Sequence, residues 1–557
     1  MRIPVRFPSL RGTTPSEAVK QSAAQGRNGS LWRVHSCAPH PGSSGCSANT
    51  LRFRGSPPGI ATSGGVPSLG PARMSACATS ARQLFHGFLA NGFAAAPTLA
   101  VMALALLLAG CTVGPNYKRP AVPVPPQNRG GGAPTAASLA DTKWPEMFPD
   151  DTLKQLISTA IEHNFDLALA TERVEEERAR YRITSASQYP SVYAGAQYTG
   201  SQSSTIGSQP ASPGFPSPVT YAQVGGALSW ELDLWGRIRR LKEAARAQYL
   251  STEEVRRGVM VSLIGDVAGN YFTLRERDLE LQIAGNTHEI ADHNLQLIRL
   301  RHDHGAATGL DVHQAEQFLY LATVRTASVQ NDIGQTENAL SLLLGAVPGD
   351  IVRGKPIESF VLPPQLPSGL PSALIDRRPD IRAAEQKLIA ANAQIGVAKA
   401  SFFPQISLTA NAGGQSRALT DLFTAPARYW TLAPTAIMPI FTAGQVRAAV
   451  RLSEAQKREM LIDYQRTIYT AFREVSDALI RYDRTREERG QQDQLVQALT
   501  ESTNLSTLRY KNGADSYLQV LSAESALFQG QLTQAQLRLQ ELLAYVDLYR
   551  ALGGGWQ

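Results

Sequence analysis

Cysteine is almost missing: the 557 residues hold four, Cys37, Cys46, Cys77 and Cys111, and none follows Cys111. That excludes an internal disulfide framework and a cysteine-based metal site beyond this point, and a lack of spare thiols suits an exported chain. Long hydrophobic runs are missing too. The apolar run from Thr98 to Leu108 spans about 11 residues, too short to cross a bilayer as a helix. Acids are scarce at the front, where residues 1–110 carry ten Lys or Arg against the single Glu17, so the formal charge of +7 becomes −2 without that segment. No basic footprint for nucleic acid survives in the remainder. A nucleophile elbow, a phosphate-cradling glycine loop, a CxxC pair and an HExxH helix are all absent. The expectation is a protein that is not an enzyme and takes no cofactor. At 43% hydrophobic residues, wholesale disorder is excluded as well.

What is present begins with an N-terminal address. Residues 1–73, rich in Gly, Ser, Pro and Arg, read either as disordered or as an extension upstream of a true start at Met74. The run from Thr98 to Leu108 is a signal-peptide core, and Leu108-Ala109-Gly110-Cys111 behind it has the form of a lipobox. Cys111 is the expected lipidated first residue of the mature chain, and residues 1–110 the removed leader. A stretch rich in Pro and Gly follows through Pro134, so 111–140 is expected to be a lipidated, extended tether.

The rest is written twice. Arg301, Gly305, Leu310, Val312, Ala315 and Glu316 recur 208 residues later as Arg509, Gly513, Leu518, Val520, Ala523 and Glu524. Gly236 and Gly345 recur at the same offset as Gly444 and Gly553. A constant offset means helices whose packing register tolerates no insertion. Each copy, 141–345 and 379–557 with a linker at 346–378, reads helix, strand, strand, long helix, turn, helix. The first helices are expected over Asp166 to Gln188 and Pro379 to Phe402, the latter with proline in its first turn.

Leu228, Trp230, Leu232 and Leu234 alternate with Ser229, Glu231 and Asp233. Such a period of two suits a barrel strand with lipid on one side and water on the other, and also a half-buried soluble strand. Further strands are expected near Ser191 to Gly200, Gln405 to Gly414 and Tyr429 to Phe441, with polar loops at 202–218 and 415–428. Four strands cannot close a barrel, and open edges in lipid leave backbone groups unpaired, so oligomerisation is required.

Arg237 to His302 and Gln445 to Asn512 lack proline and predict two helices of roughly 100 Å. Val255, Val259, Leu263, Val267, Tyr271 and Leu274 keep a three-to-four spacing, as in coiled-coil packing. Gly305 and Gly513 end those helices in turns, Asp311 or Ser516 help begin the next ones, and Leu310 and Leu518 are left as apolar contacts for a partner helix. His302, Asp303, His304 and His313 form the one histidine cluster; lacking a cysteine or a helical i, i+4 pair, they read as solvated turn residues and not as a metal site.

Together, LAGCTVGPNYKRP at 108–120, SWELDLWGRIR at 229–239, RHDHGAATGLDVHQAE at 301–316 and RYKNGADSYLQVLSAE at 509–524 resemble the outer-membrane factors of the TolC, OprM and NodT type, over essentially Cys111 to Gln557. The resemblance implies an α+β membrane protein: a homotrimer whose four strands per chain form one shared 12-stranded β-barrel, continued by a long periplasmic α-helical barrel. A belt at mid-tunnel would come from 140–165, 346–378 and the C-terminus. The tips around Gly305, Leu310, Gly513 and Leu518 would dock a periplasmic adaptor, a membrane fusion protein, serving an inner-membrane RND-type transporter. Arg509, Tyr510 and Asp515 match the residues that narrow the closed tunnel entrance. Ser522 stands where some members carry Asp, so no ion-sensitive closure is assigned to it. The implied function is a passive exit duct for small molecules, held in the outer membrane by its barrel and by the lipid on Cys111. A duct for type I protein secretion and a non-conducting coiled-coil envelope lipoprotein are the alternatives.

Overall fold

The computed structural model describes residues 112–131 and 138–556, apart from 203, 205, 207–217, 364–365 and 368. The leader expected over 1–110 and the lipidation site Cys111 lie outside the described residues.

After the one-turn helix α1 (Trp144–Met147), α2 (Asp151–His163) starts where the Asp150 carboxylate accepts the Thr152 amide, and buries Leu153, Ile157 and Ala160 along one stripe. Asn164 ends α2 and caps α3 (Phe165–Ala186) by accepting the Leu167 amide. Strands β1 (Ser191–Ser201) and β2 (Val219–Leu232) follow. Next come α4 (Arg237–Asp303) and α5 (Gly309–Leu343). The second half runs α6 (Ala373–Arg377), α7 (Pro379–Ala400), β3 (Gln405–Ser416), β4 (Arg428–Ile437), α8 (Gln445–Lys511) and α9 (Tyr517–Ala551). Both α4 and α8 have 67 residues, hence about 100 Å of unbroken helix. Arg237 and Gln445, like Gly309 and Tyr517, stand 208 positions apart.

The shorter helices form two broken columns beside these rods. Asn164 donates its amide to the Leu343 carbonyl at 3.0 Å, so α3 begins where α5 ends. Arg378 donates to the Ala551 carbonyl at 2.8 Å, so α7 begins where α9 ends. Helix α4 therefore packs on α3 and α7 toward the sheet and on α5 and α9 away from it. The largest core lies where the columns break: α2 and the chain around Ile351, Ile357 and Phe360 cover Leu263, Val267, Tyr271 and Leu274 of α4, with Ile468, Val475 and Tyr482 of α8 in the same cluster. Tyr271 pins this layer, donating to Asp150 at 2.6 Å and accepting the Gly354 amide at 3.0 Å. The expected coiled-coil stripe is buried only from Leu263 onward; Val255 is 45% exposed because it lies beyond that cover.

The strands form one antiparallel sheet in the order β1-β2-β3-β4. Its register aligns Val192 with Leu228, Leu228 with Ala410 and Ala410 with Leu432, and, one pair along, Trp230 with Leu408 and Leu408 with Pro434. One face is thus apolar from edge to edge. The other carries Ser191, Ser229, Thr409, Ala433 in one row and Gln197, Gln223, Gln415 in another. Side chains alternate across a strand, so this segregation follows from the register alone.

Three local expectations change. Strand β2 stops at Leu232, and Asp233 turns back to accept the Ile238 and Arg239 amides at 3.1 and 2.8 Å, so it caps α4 and does not line the polar face. Strand β4 stops at Ile437, short of Phe441. The tether is extended, as its prolines require, but residues 112–119 do not hang free. Val113 donates to the Trp235 carbonyl, Asn392 to the Pro115 carbonyl, and Arg119 pairs with both Glu385 and Asp376. Gly114 and Gly396 meet backbone to backbone, with 2.5 Å left for a Cβ at Gly114.

Candidate functional site

Two surfaces carry the sequence-derived expectations: the sheet and the helical tips farthest from it. On the sheet, Tyr198 and Trp430 stand on the apolar face near the loop end, and Trp230 near the helix end, where its indole donates to the Gln188 carbonyl. Aromatics at both ends of an exposed apolar band are the pattern of a lipid-facing strand surface. Below it, Trp235 stacks on Phe403 at 4.8 Å and donates to the Pro404 carbonyl. Thr112 lies at this level: a Cβ on Gly236 would sit 3.0 Å from the Thr112 Cα.

At the tips, Gly305 and Gly513 take φ of 72° and 74°. Each is followed by the same closure, Ala306 donating to the Arg301 carbonyl and Ala514 to the Arg509 carbonyl, which satisfies carbonyls that the helix end would leave unpaired. The next helices start differently. Thr308 caps α5 in a reciprocal box with Asp311. Ser516 occupies the corresponding cap of α9 with no side-chain hydrogen bond, so Asp311 fulfils its expected role and Ser516 does not. Leu310 and Leu518, second residues of their helices, are 65% and 50% exposed.

Of the three entrance candidates, Arg509 and Asp515 come together and Tyr510 goes elsewhere. Arg509 Nε donates to Asp515 at 2.5 Å in the open. The guanidinium holds the Asp515 carboxyl below the usual carboxylate range, and the carboxylate raises Arg509 in turn. Tyr510 lies under the guanidinium of Arg301, 4.7 Å from the ring centre, and against Tyr517 at 5.7 Å. Arg301 and Tyr517 are the members that sequence reasoning missed. Their signal was faint: Arg301 recurs as Arg509 in the repeat, but nothing in the pattern sends one guanidinium to a tyrosine and the other to an acid. Tyr517 sits with Leu295, Ile298, Ala315 and Val520 in a small core, which ties the two tips together. Burial, and then the Glu524 charge, raises its phenol.

The histidines serve no joint purpose. His313 pairs with Glu316, which Arg299 also holds, and Arg299 first and His313 second keep that carboxyl below its ordinary range. His302 lies 3.7 Å from Asp303. Among the described residues no group of three or more His, Cys, Asp or Glu is placed to hold a metal ion. Nor, among them, is any helix long and apolar enough to cross a membrane.

A two-faced four-stranded sheet, continued by 67-residue helices, defines a class: outer-membrane channels that reach into the periplasm. The chain belongs to the outer membrane efflux protein family, whose model matches residues 156–346 and 370–554. It is 39% identical over 459 residues to the solvent efflux pump outer membrane protein SrpC of Pseudomonas putida, covering 81% of this chain and 97% of that one. The cation efflux system protein CusC of Escherichia coli O157:H7 is 35% identical, with 82% and 98% covered. Among solved structures, the open-state MtrE outer membrane channel of Neisseria gonorrhoeae matches with a TM-score of 0.74 at 30% identity, covering 80% of this chain and 99% of MtrE. The protein is an outer-membrane efflux channel.

Proposed function

We propose that three copies join edge to edge into a 12-stranded barrel and that their helices enclose one periplasmic tunnel, a passive exit for small molecules. The observation that carries this is the pair of open sheet edges, β1 and β4, on a sheet with an apolar outer face. Unpaired edge amides and carbonyls in hydrocarbon cost several kcal/mol each, and pairing β4 of one copy with β1 of the next removes both edges at once. The polar face then lines the lumen, where Gln197, Thr409 and Thr431 meet water.

Leu310 and Leu518, exposed at the far tips, dock a periplasmic adaptor, and an inner-membrane RND-type transporter supplies the energy. Arg509 and Asp515, beside them, narrow the entrance when no adaptor is engaged. Relatives named for solvent and for cation efflux share this duct, which supports a choice of cargo made upstream of it. Cys111 carries a lipid anchor, a reading supported by the packing of its neighbour Thr112 on Gly236 between β2 and α4. The test is single-channel conductance of the purified protein in planar bilayers, with and without adaptor. Large current steps on adaptor addition are expected; a correctly assembled protein that never conducts overturns the duct.

A further inference from the structure

Helix α4 carries two wholly buried carboxylates one turn apart, Glu276 and Glu280, each at 0% exposure in the isolated chain. Neighbouring copies cannot expose them. They lie in the seam where α4 meets α5 and α9, roughly 40 Å from the tip at Asp303 by helical rise. Their partners are unequally shared. Glu280 accepts from Arg277 at 2.6 Å, from Arg325 of α5 at 2.7 Å and from Gln536 of α9 at 3.4 Å. Both oxygens of Glu276 lack a hydrogen-bond donor. Arg277 comes within 3.4 Å of it, but its hydrogen bond goes to Glu280. From α5, Asp332 also lies 4.0 Å from Arg277. On α9 the Gln536 amide reaches Glu280, and Glu541 further along that helix is held by Arg538 and by Arg489 of α8.

An ionised carboxylate without a donor in such a seam would be costly, whereas a neutral one could turn its O–H toward Glu280, one helical turn away. Burial first, and the charge of Glu280 second, hold the Glu276 carboxyl well above the usual carboxylate range. We propose that Glu276 and Glu280 share one proton and act as a pH-sensitive latch: with the proton the α4–α5–α9 seam is closed and dry, and without it the seam loosens and the tunnel below the belt opens more readily. Glu276 as the acid donates its O–H to ionised Glu280, leaving one negative charge against Arg277 and Arg325; loss of that proton to solvent adds a second charge with no donor to meet it. The sign follows from linkage. The folded-state proton affinity exceeds that of the unfolded chain, so this site opposes the closed seam progressively as pH rises from the ordinary carboxylate range to the raised value.

The latch rests on the channel reading for its effect on current, but its proton and its seam can be measured without any current. Isotope-edited infrared spectra of the full-length protein should show a protonated-carboxyl band at neutral pH that fades as the solution turns alkaline and is missing in Glu276→Gln. Its absence from the native protein, or its survival in the variant, overturns the shared proton. Hydrogen exchange across residues 270–285 of α4 should rise with pH more steeply in the native chain than in Glu276→Gln, whose amide keeps the donor. Equal slopes overturn the latch, as does a native current that stays flat with pH while the carboxyl titrates. Should Glu276→Gln fail to assemble, Glu280→Gln serves: with the like charge gone and two arginines freed, the alkaline transition should move to lower pH, and an unmoved transition refutes the pairing. Absence of current at every pH refutes the duct, and the exchange slopes still decide the latch.

Discussion

The two halves of the chain share their lengths and their glycines but not their fastenings. At the column break of the first half, a Cβ on Gly345 would lie 2.2 Å from the His163 carbonyl oxygen, so backbone meets backbone. In the second half the same position on Gly553 is less crowded, with the Arg378 Cγ at 3.1 Å and the Arg378 backbone at 3.3 Å. The tips repeat the contrast. The first is closed by a capping box over the four residues Thr308 to Asp311; the second is tied by the Arg509–Asp515 pair at the surface, and its following helix has no side-chain cap. Backbone contacts and caps hold one geometry, whereas exposed ion pairs are weak and exchange readily with water. From this contrast we expect the first half to act as the frame and the second as the part that moves, which the variants below can overturn.

The junction glycines give the largest test of that asymmetry. Both hold positive φ, 69° at Gly345 and 80° at Gly553, so alanine at either is strained by ~1–2 kcal/mol. Gly345→Ala adds a clash that only backbone movement relieves, and should cost well above ~2 kcal/mol and deplete assembled protein. Gly553→Ala should assemble, with a thermal midpoint lowered by a few degrees. Equal losses in a melting experiment would erase the distinction between frame and mover.

Next in size is the loss of adaptor docking. Leu310→Asp with Leu518→Asp should abolish efflux in cells while leaving oligomer migration on native gels unchanged, since both side chains are exposed and neither belongs to the small tip core. The single variants sharpen the comparison: if the second half moves, Leu518→Asp should also raise basal conductance, and Leu310→Asp should not. Normal drug resistance in the double variant would refute docking at these residues.

Much of this architecture was legible in the sequence because it is periodic. Strands announce themselves by alternation, the 67-residue rods by the absence of proline, and the turns by glycines at a fixed offset. What was not legible depends on residues brought together from afar. Nothing near Arg119 foretells Glu385, and nothing near Tyr117 foretells the same acid, so the clamped strap read as a loose tether. Asp233 alternates with its neighbours like a strand residue until the chain turns and offers it two free amides. At the tips, Leu310, Leu518, Arg509 and Asp515 were visible as types at turns, while the Arg301–Tyr510–Tyr517 stack required the two tips to be adjacent. Nothing in the sequence sets Glu276 and Glu280 apart from the other acids of α4, and acids on long helices usually form a solvated face.

The caps give a smaller, local effect. Thr308→Ala removes the side chain that accepts the Asp311 amide and should weaken the first turn of α5 by ~1 kcal/mol, or roughly five-fold faster amide exchange at residues 309–312. Ser516→Ala should leave exchange at the start of α9 nearly unchanged, because no cap hydrogen bond is lost. A reversed order would place the firmer tip in the second half.

The smallest effect on stability should come from Asp515→Asn, yet it bears most directly on the entrance. Arg509 is exposed and Asp515 half-buried in a surface pair that water reaches, so melting should change little. Asp515 has its carboxyl lowered by Arg509, so the pair is intact above the ordinary carboxylate range and is lost as pH falls through the lowered value. As far as Asp515 sets it, basal conductance should therefore not vary with pH near neutrality, should rise in strongly acid solution, and in Asp515→Asn should reach its acid level already at neutral pH. An acid limb that survives the substitution belongs to another group. Because Glu276 acts in the opposite direction, toward alkaline pH, the two variants should remove opposite limbs of one conductance profile, which separates the tip from the seam without touching the fold.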